Sequence, residues 1–502
     1  MLWTSGRTRT AVQVDTAPLV AAHLEGSIPP QCAPEVQVPA DARQPPADPH
    51  QPQRVTVLGM TLNLVTGGLG SGILTLAWGM AGASVIVAVG TILAVVALNA
   101  CTIMLLVQAA EAHKQFDLGS LLRMLPGRQL GPIAQGVCNF LVWATMWMTL
   151  VSYIIVVQDS FTSLFPAHSV LSRRWVWAVL ASALVLPLTF VDLRFLSRTS
   201  SPLSVGVNCY LFGLLCVRLA TDGVSADGPC LVARLDPPPT GVIAFISLMS
   251  NTIIIQMCIL PMYKDLEERS PAKFRRALGV SFSLLALLYA AFATIAYLHF
   301  GPTVPDNVLN ALSKGGWGDA ARVGISVVVL CVYPLMVVPM LAPVEALVEH
   351  RRRRSSTGAG GECGGCGGGG GGGDGGGDCG GDGDDDHGSG VGKGVPAVKA
   401  TAVGIVASVM TCTFFVSDLG LMNVIAGTVS VGGFVALAPG LVGLWLSHPP
   451  GARVGMCWRA GMHTLIWGGL VLSILGIFFR TNFVGGLAQA GGCWWAVSRH
   501  DV

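Results

Sequence analysis

The stretch TGGLGSG at 66–72 places four glycines, Gly67, Gly68, Gly70 and Gly72, within seven residues. Apolar runs flank it, VTVLGMTLNLV before and ILTLAWGM after. Glycine lets a helix unwind, and its missing side chain lets a ligand approach the main chain. In hydrocarbon every backbone N–H and C=O needs a partner, so unwinding is tolerated only where the freed groups face a cavity or a bound solute. Thr66, Gly67, Gly68, Gly70, Ser71 and Gly72 are therefore candidate ligand-binding residues. Close helix packing through small residues is the competing reading, and it suits Gly79 and Gly82. A second polar group interrupts the apolar run GVIAFISLMSNTIIIQMCILPMY at 241–263: Ser247, Ser250, Asn251, Thr252 and Gln256. Ser250, Asn251 and Thr252 can replace lost helical hydrogen bonds or contact a solute. A polar face packed on a neighbouring helix is the alternative.

The elements that must position these groups are membrane spans. Hydrophobic residues make up 52% of the chain and charged residues 12%, where soluble domains carry about 25% charged residues. Eleven apolar segments are long enough to cross roughly 30 Å of hydrocarbon: 55–80, 84–109, 133–160, 175–192, 203–220, 241–262, 278–300, 322–347, 398–417, 421–446 and 460–480. The expected fold class is an all-α polytopic membrane protein, with 55–480 as the membrane domain. Residues 1–54 read as a disordered tail without a cleavable signal, 351–397 as a disordered glycine-rich loop, and 481–502 as a C-terminal tail. If the N-terminus is cytosolic, 22 of the 30 lysines and arginines fall on the inner side, which sets the orientation. The stretch FDLGSLLRMLPG at 116–127 is amphipathic and fits the inner surface.

Other chemistries find little support. The net charge of +2 implies no nucleic-acid partner. The spans hold no paired acids or histidine cluster for an intramembrane enzyme, and no ring of charge or repeated filter sequence for a channel. Asp159, Asp192, Glu345, Asp418, His299 and His463 lie near span ends and read as interfacial. Of the 14 cysteines, several sit in apolar segments as small hydrophobes. Cys230 and Cys493 fall on the outer side; a bridge is conceivable, but the sequence favours free thiols. Cys363, Cys366, Cys379 and His387 in the glycine tract invite a zinc reading, against which an incidental glycine linker is preferred. No cofactor is expected.

Discontinuous spans in secondary transporters come in pairs, one in each half of an internal repeat, and segments one and six fit that pairing. Here the sequence resembles the amino acid/auxin permease family, including sodium-coupled neutral amino acid transporters and plant amino acid permeases. The resembling residues are GSGILTLAWGMAGA at 70–83, YIIVVQDSFTSLF at 153–165 and LPMYKDLEERSPAKFRRALGVSFSLLALLYAAFATIAYLHFG at 260–301. Order and spacing agree over about 55–480. The resemblance implies a five-plus-five inverted-repeat fold with helices one and six broken, and amino acid transport driven by protons or sodium. Carried over by position, substrate contacts fall at Thr66 to Gly72 and at Ser250 to Thr252. Sodium-coupled relatives have asparagine where Thr66 stands, although Thr66 could offer a hydroxyl oxygen to an ion. They have threonines where VVVLCVYPLMVVP at 327–339 has Leu330 and Val332, which cannot ligate a hard cation. Gln256 stands where many members have histidine. The expectation is a proton-coupled amino acid transporter in a plasma or vacuolar/lysosomal-type membrane, with a non-transporting amino acid sensor as the alternative.

Overall fold

A computed structural model describes residues 55–166, 168–189, 193–233, 241–358, 395–447, 455–478 and 493–496. The tail 1–54 and the cluster Cys363, Cys366, Cys379 and His387 lie outside the described residues, as does Asp192. The first span consists of α1 (Val57–Gly68), a 3-10 turn (Ser71–Thr75) and α2 (Leu76–Ala83). Then follow α3 (Val85–His113), the short α4 (Leu118–Arg123), α5 (Leu130–Thr162), α6 (Arg174–Leu188), α7 (Leu193–Asp222) and strand β1 (Cys230–Ala233). The sixth span is α8 (Gly241–Thr252) with α9 (Gln256–Lys264). After it come α10 (Pro271–Phe300), the short α11 (Val308–Ala311), α12 (Gly316–Gly358) and α13 (Val395–Phe415). The chain continues with α14 (Leu419–Ser430), a π-helical turn (Val431–Leu437), α15 (Ala438–Trp445), α16 (Met456–Phe478) and β2 (Cys493–Ala496).

All eleven apolar segments meet a helix. Among the described residues nine spans are long and apolar enough to cross a membrane, and the bent pair of the first span makes a tenth. The eleventh, α6, has only 15 residues, fewer than the about 20 a perpendicular crossing needs. The fifth span begins ten residues before the apolar run, at Leu193; polar residues and Pro202 disguise its first turns. The expected loop 351–397 is shorter among the described residues, because α12 continues to Gly358 and α13 starts at Val395.

Helix starts follow from local chemistry. Thr56, Asp117, Ser270 and Asp418 cap α1, α4, α10 and α14, each accepting a backbone N–H from the first turn. Side chains invert the soluble pattern. Leu58, Phe140, Trp467 and Phe478 are exposed while Asn99, Ser152, Thr75 and Asn423 are buried, as expected where the surroundings are hydrocarbon. Small residues set the tightest crossings. A Cβ on Gly427 of α14 would lie 1.8 Å from the Ser247 carbonyl oxygen of α8, and one on Gly79 of α2 would lie 2.6 Å from Leu248 and Phe245. The packing reading of Gly79 therefore holds. The amphipathic stretch holds as well: α4 buries Leu118, Leu121 and Leu122 and exposes Arg123.

One expectation is overturned. Cys230 and Cys493 form a disulfide, with Cα atoms 5.7 Å apart. Strands β1 and β2 pair antiparallel around it. Spacing of 263 residues hides this contact in the sequence.

Candidate functional site

The first and sixth spans both break. After Gly68 the Leu69 N–H reaches back to the Val65 and Thr66 carbonyls at 3.2 Å each, and Gly70 turns to an extended backbone (φ −95°, ψ −172°) before the 3-10 turn starts at Ser71. The two arms of this span are bent by 46°. In the sixth span residues 253–255 leave the helix between Thr252 and Gln256. The breaks touch: a Cβ on Gly72 would lie 2.6 Å from the Thr252 hydroxyl and 2.9 Å from its Cα. The ends of α1 and α8 share one buried partner from α10. The Tyr289 hydroxyl donates to the Gly68 carbonyl and lies 3.5 Å from that of Thr252. Helix ends leave carbonyls without intrahelical partners, and this hydroxyl serves two such ends at once.

The four glycines divide into two pairs. None has the left-handed backbone that favours glycine, so the break does not depend on their conformational freedom. Gly68 and Gly72 are needed for close approach: a Cβ on Gly68 would meet Leu285 at 2.7 Å and the Tyr289 hydroxyl at 3.0 Å. Gly67 and Gly70 face open space, with only the Tyr153 hydroxyl 4.0 Å from a Cβ on Gly70.

That space is a cavity of about 280 Å³, large enough for a small solute. From the first span it is bordered by Asn63, Thr66, Gly67, Gly70 and Ser71. From α7 come Ser200, Ser201, Ser204 and Asn208, and from α12 an apolar wall including Ile325, Val328, Val329 and Val332. Tyr153 of α5 and Met262 of α9 complete the outline. Thus Thr66, Gly67, Gly70 and Ser71 reach the cavity, whereas Gly68, Gly72, Ser250, Asn251 and Thr252 do not border it; Gly68, Gly72 and Thr252 meet where the two breaks touch. Thr66 donates its hydroxyl proton to Leu62 and Asn63 carbonyls at 3.0 and 3.1 Å, which leaves its oxygen as an acceptor. Ser250 and Thr252 donate to Ile246 and Leu248 of their own helix at 2.8 and 2.9 Å.

Behind the breaks lies an amide network that sequence reasoning missed. Asn423 of α14 accepts at Oδ1 from the Ser152 hydroxyl (3.1 Å) and from Asn251 Nδ2 (3.2 Å), and its Nδ2 donates to the Thr75 hydroxyl at 3.4 Å. Thr75 in turn donates to the Gly72 carbonyl at 2.8 Å. One buried amide therefore ties α5, α8 and the 3-10 turn. Gln256, the first residue of α9, donates to Asn99 of α3. The only signal for these contacts is a polar residue inside an apolar run, which does not name its partner.

Two polar clusters bracket the site. Asp159, at the end of α5, is 6% exposed. It accepts from Arg174 Nη2 at 2.5 Å and from Asn307 Nδ2 at 3.1 Å, so it is paired rather than solvated as expected for an interfacial acid. Arg174 also donates to the Ser417 carbonyl at 2.9 Å, while Asp306 accepts the Leu419 and Gly420 N–H groups of α14 at 2.7 and 3.1 Å. At the other end, Glu111 of α3 accepts from the Tyr263 hydroxyl and from Arg269 Nε, both at 3.0 Å, and the guanidinium lies 4.1 Å from the Phe116 ring centroid. Val55, just before α1, bonds to Asp265 and Glu267 backbones at 2.8 and 2.9 Å.

Residues 53–482 match the model of a family described as "Transmembrane amino acid transporter protein". The chain belongs to this family. It is 30% identical over 183 residues to amino acid transporter AVT1H of Arabidopsis thaliana, covering 36% of this chain and 41% of that protein. It is 23% identical over 321 residues to sodium-coupled neutral amino acid symporter 2 of Danio rerio, covering 58% and 63%. Similarity to vacuolar amino acid transporter 6 of Saccharomyces cerevisiae is 22% over 212 residues, covering 40% and 46%. The aligned regions thus span less than two thirds of each relative. A mutant form of the Eremococcus coleocola manganese transporter superposes with a TM-score of 0.51 at 11% identity, over 86% of this chain and 90% of that one. The fold of this family member is the five-plus-five inverted-repeat, LeuT-like one, with its first and sixth spans broken.

Proposed function

We propose that this protein is a secondary active transporter that moves amino acids by alternating access, with protons as the coupling ion. The observation that carries the reading is the pair of helix breaks meeting beside a solute-sized cavity. The end of α1 offers carbonyls of partial negative charge to an ammonium group, and the N–H group at Ser71, which opens a helical run, suits a carboxylate. Thr66, Gly67, Gly70 and Ser71 contact the substrate directly. Gly68, Gly72, Asn251 and Thr252 hold the two breaks in register, and Ser250 lies beside them on α8. The proton assignment rests on Leu330 and Val332, which place hydrocarbon where an ion would need oxygens.

The cavity borders residues before the first break (Asn63, Thr66) and after the sixth-span break (Met262), both on the membrane face of the N-terminus. The Asp159–Arg174–Asn307 cluster closes the opposite face. With a cytosolic N-terminus this is an inward-facing state. The disulfide supports that orientation, since such bonds persist on extracellular or luminal sides and an odd number of crossings puts Cys493 opposite the N-terminus.

The test is uptake of labelled amino acids into liposomes holding the purified protein. Accumulation under an inward proton gradient, lost when the gradient is collapsed, is the expected result. Accumulation under a sodium gradient alone overturns the coupling assignment. Saturable binding without flux under either gradient overturns transport in favour of an amino acid sensor.

A further inference from the structure

α7 contributes a polar wall to the cavity. Its buried polar residues fall at Ser200, Ser204 and Asn208, four apart and so on one helix face, with the less buried Ser201 beside them. They are 2%, 4% and 7% exposed, and all three border the cavity. The facing wall of α12 is hydrocarbon: Ile325, Val328, Val329 and Val332. Asn208 Nδ2 donates to the Ser204 carbonyl at 2.8 Å, which fixes the amide plane. Among the described residues no hydrogen bond engages the Ser204 hydroxyl or Asn208 Oδ1, although both residues are more than nine-tenths buried. Neither atom is among the sealed polar atoms that lack a partner, so both are open to the cavity that their residues border. Here the cavity is the direction from which a partner can come.

We propose that Ser204 and Asn208 form the specificity wall of the site and select amino acids whose side chains are uncharged and carry a hydroxyl or carboxamide. This rests on the transporter reading and deepens it. A carboxamide matches the wall in both senses: its NH2 donates to Asn208 Oδ1 and its oxygen accepts from the Ser204 hydroxyl. A side-chain hydroxyl makes one contact of each kind. A charged side chain is disfavoured, because among the described residues bordering the cavity none is acidic or basic and a desolvated charge without a counter-charge is costly. An apolar side chain of equal size fits but leaves the wall unpaired, and a site built to hydrogen-bond its ligand discriminates strongly against such analogues.

The test is competition binding on the purified full-length protein in lipid nanodiscs, with labelled threonine and labelled asparagine as probes. Competitors come in pairs matched in size: threonine with valine, asparagine with leucine, serine with alanine. The wild type is expected to favour the polar member of each pair by at least about tenfold. In the Ser204→Ala/Asn208→Leu double variant, probed with labelled leucine, the preference falls to within about twofold while valine and leucine bind as in the wild type. Ser204→Thr, which keeps the hydroxyl, retains the preference. Equal affinities within the pairs in the wild type overturn the proposal. So does a double variant that keeps the preference, or one that loses valine and leucine binding as well, since that assigns α7 a structural role. A wild type that binds no amino acid overturns the transporter reading itself.

Discussion

At the scale of single residues, Tyr289 joins two helix ends through one hydroxyl. Removing the oxygen takes one of two donors from the Gly68 carbonyl, which keeps the Gly70 N–H at 3.0 Å, at a cost of about 0.5–1.5 kcal/mol. Tyr289→Phe is therefore expected to lower the melting temperature and slow uptake, both measurable on purified protein. The glycines separate two kinds of failure. Gly72→Leu drives a side chain into the Thr252 backbone, where no flexible neighbour can yield, and is expected to abolish folding as read by size-exclusion profile. Gly70→Leu meets only the Tyr153 hydroxyl at its Cβ. It is expected to fold, reach its membrane and fail in transport, because its side chain fills the cavity. Normal uptake by Gly70→Leu would remove the cavity from the transport path. These glycines are conspicuous in the sequence. Their division into packing and cavity-facing pairs is not, since it depends on Leu285, Tyr289 and Thr252, which lie far along the chain.

At the scale of elements, the cluster around Asp159 interlocks α5, α6, the segment before α11 and the start of α14. Loss of the half-exposed Arg174 leaves the buried Asp159 carboxylate without its counter-charge. Arg174→Ala is expected to open the face opposite the N-terminus and raise labelling of a cysteine introduced at Gly70 by a membrane-impermeant maleimide applied to that face. Unchanged labelling would show that the cluster does not hold that face shut. The helices themselves were legible as apolar runs, because hydrocarbon admits only segments whose backbone bonds are internal. The first turns of α7 were not, because Ser200, Ser201 and Pro202 read as a loop. Those turns bring Ser200 and Ser201 to the cavity, so polarity that hides a helix boundary marked a functional wall.

At the scale of the molecule, the disulfide joins the segment before the sixth span to the chain beyond the last one. Its reduction is expected to remove about 2–4 kcal/mol of stability in the usual range for such bonds. Cys230→Ser leaves Cys493 as a free thiol, which an impermeant maleimide is expected to label from the extracellular or luminal side. Labelling only from the cytosolic side would reverse the orientation proposed from the lysine and arginine distribution.

Composition and periodicity alone determined that the chain is a polytopic helical membrane protein, and the glycine and Ser-Asn-Thr clusters located both broken spans. Those features are local: a span, a charge bias or a helix break is written in neighbouring residues. Partnerships are not. Only the tertiary structure set Tyr289 between two helix ends, gathered Ser152, Asn251 and Thr75 on Asn423, paired Cys230 with Cys493 and turned the α7 serines towards the first break. Each of these joins residues from distant parts of the chain, and a side chain's type states what it can bond to without stating which residue the fold will bring to it.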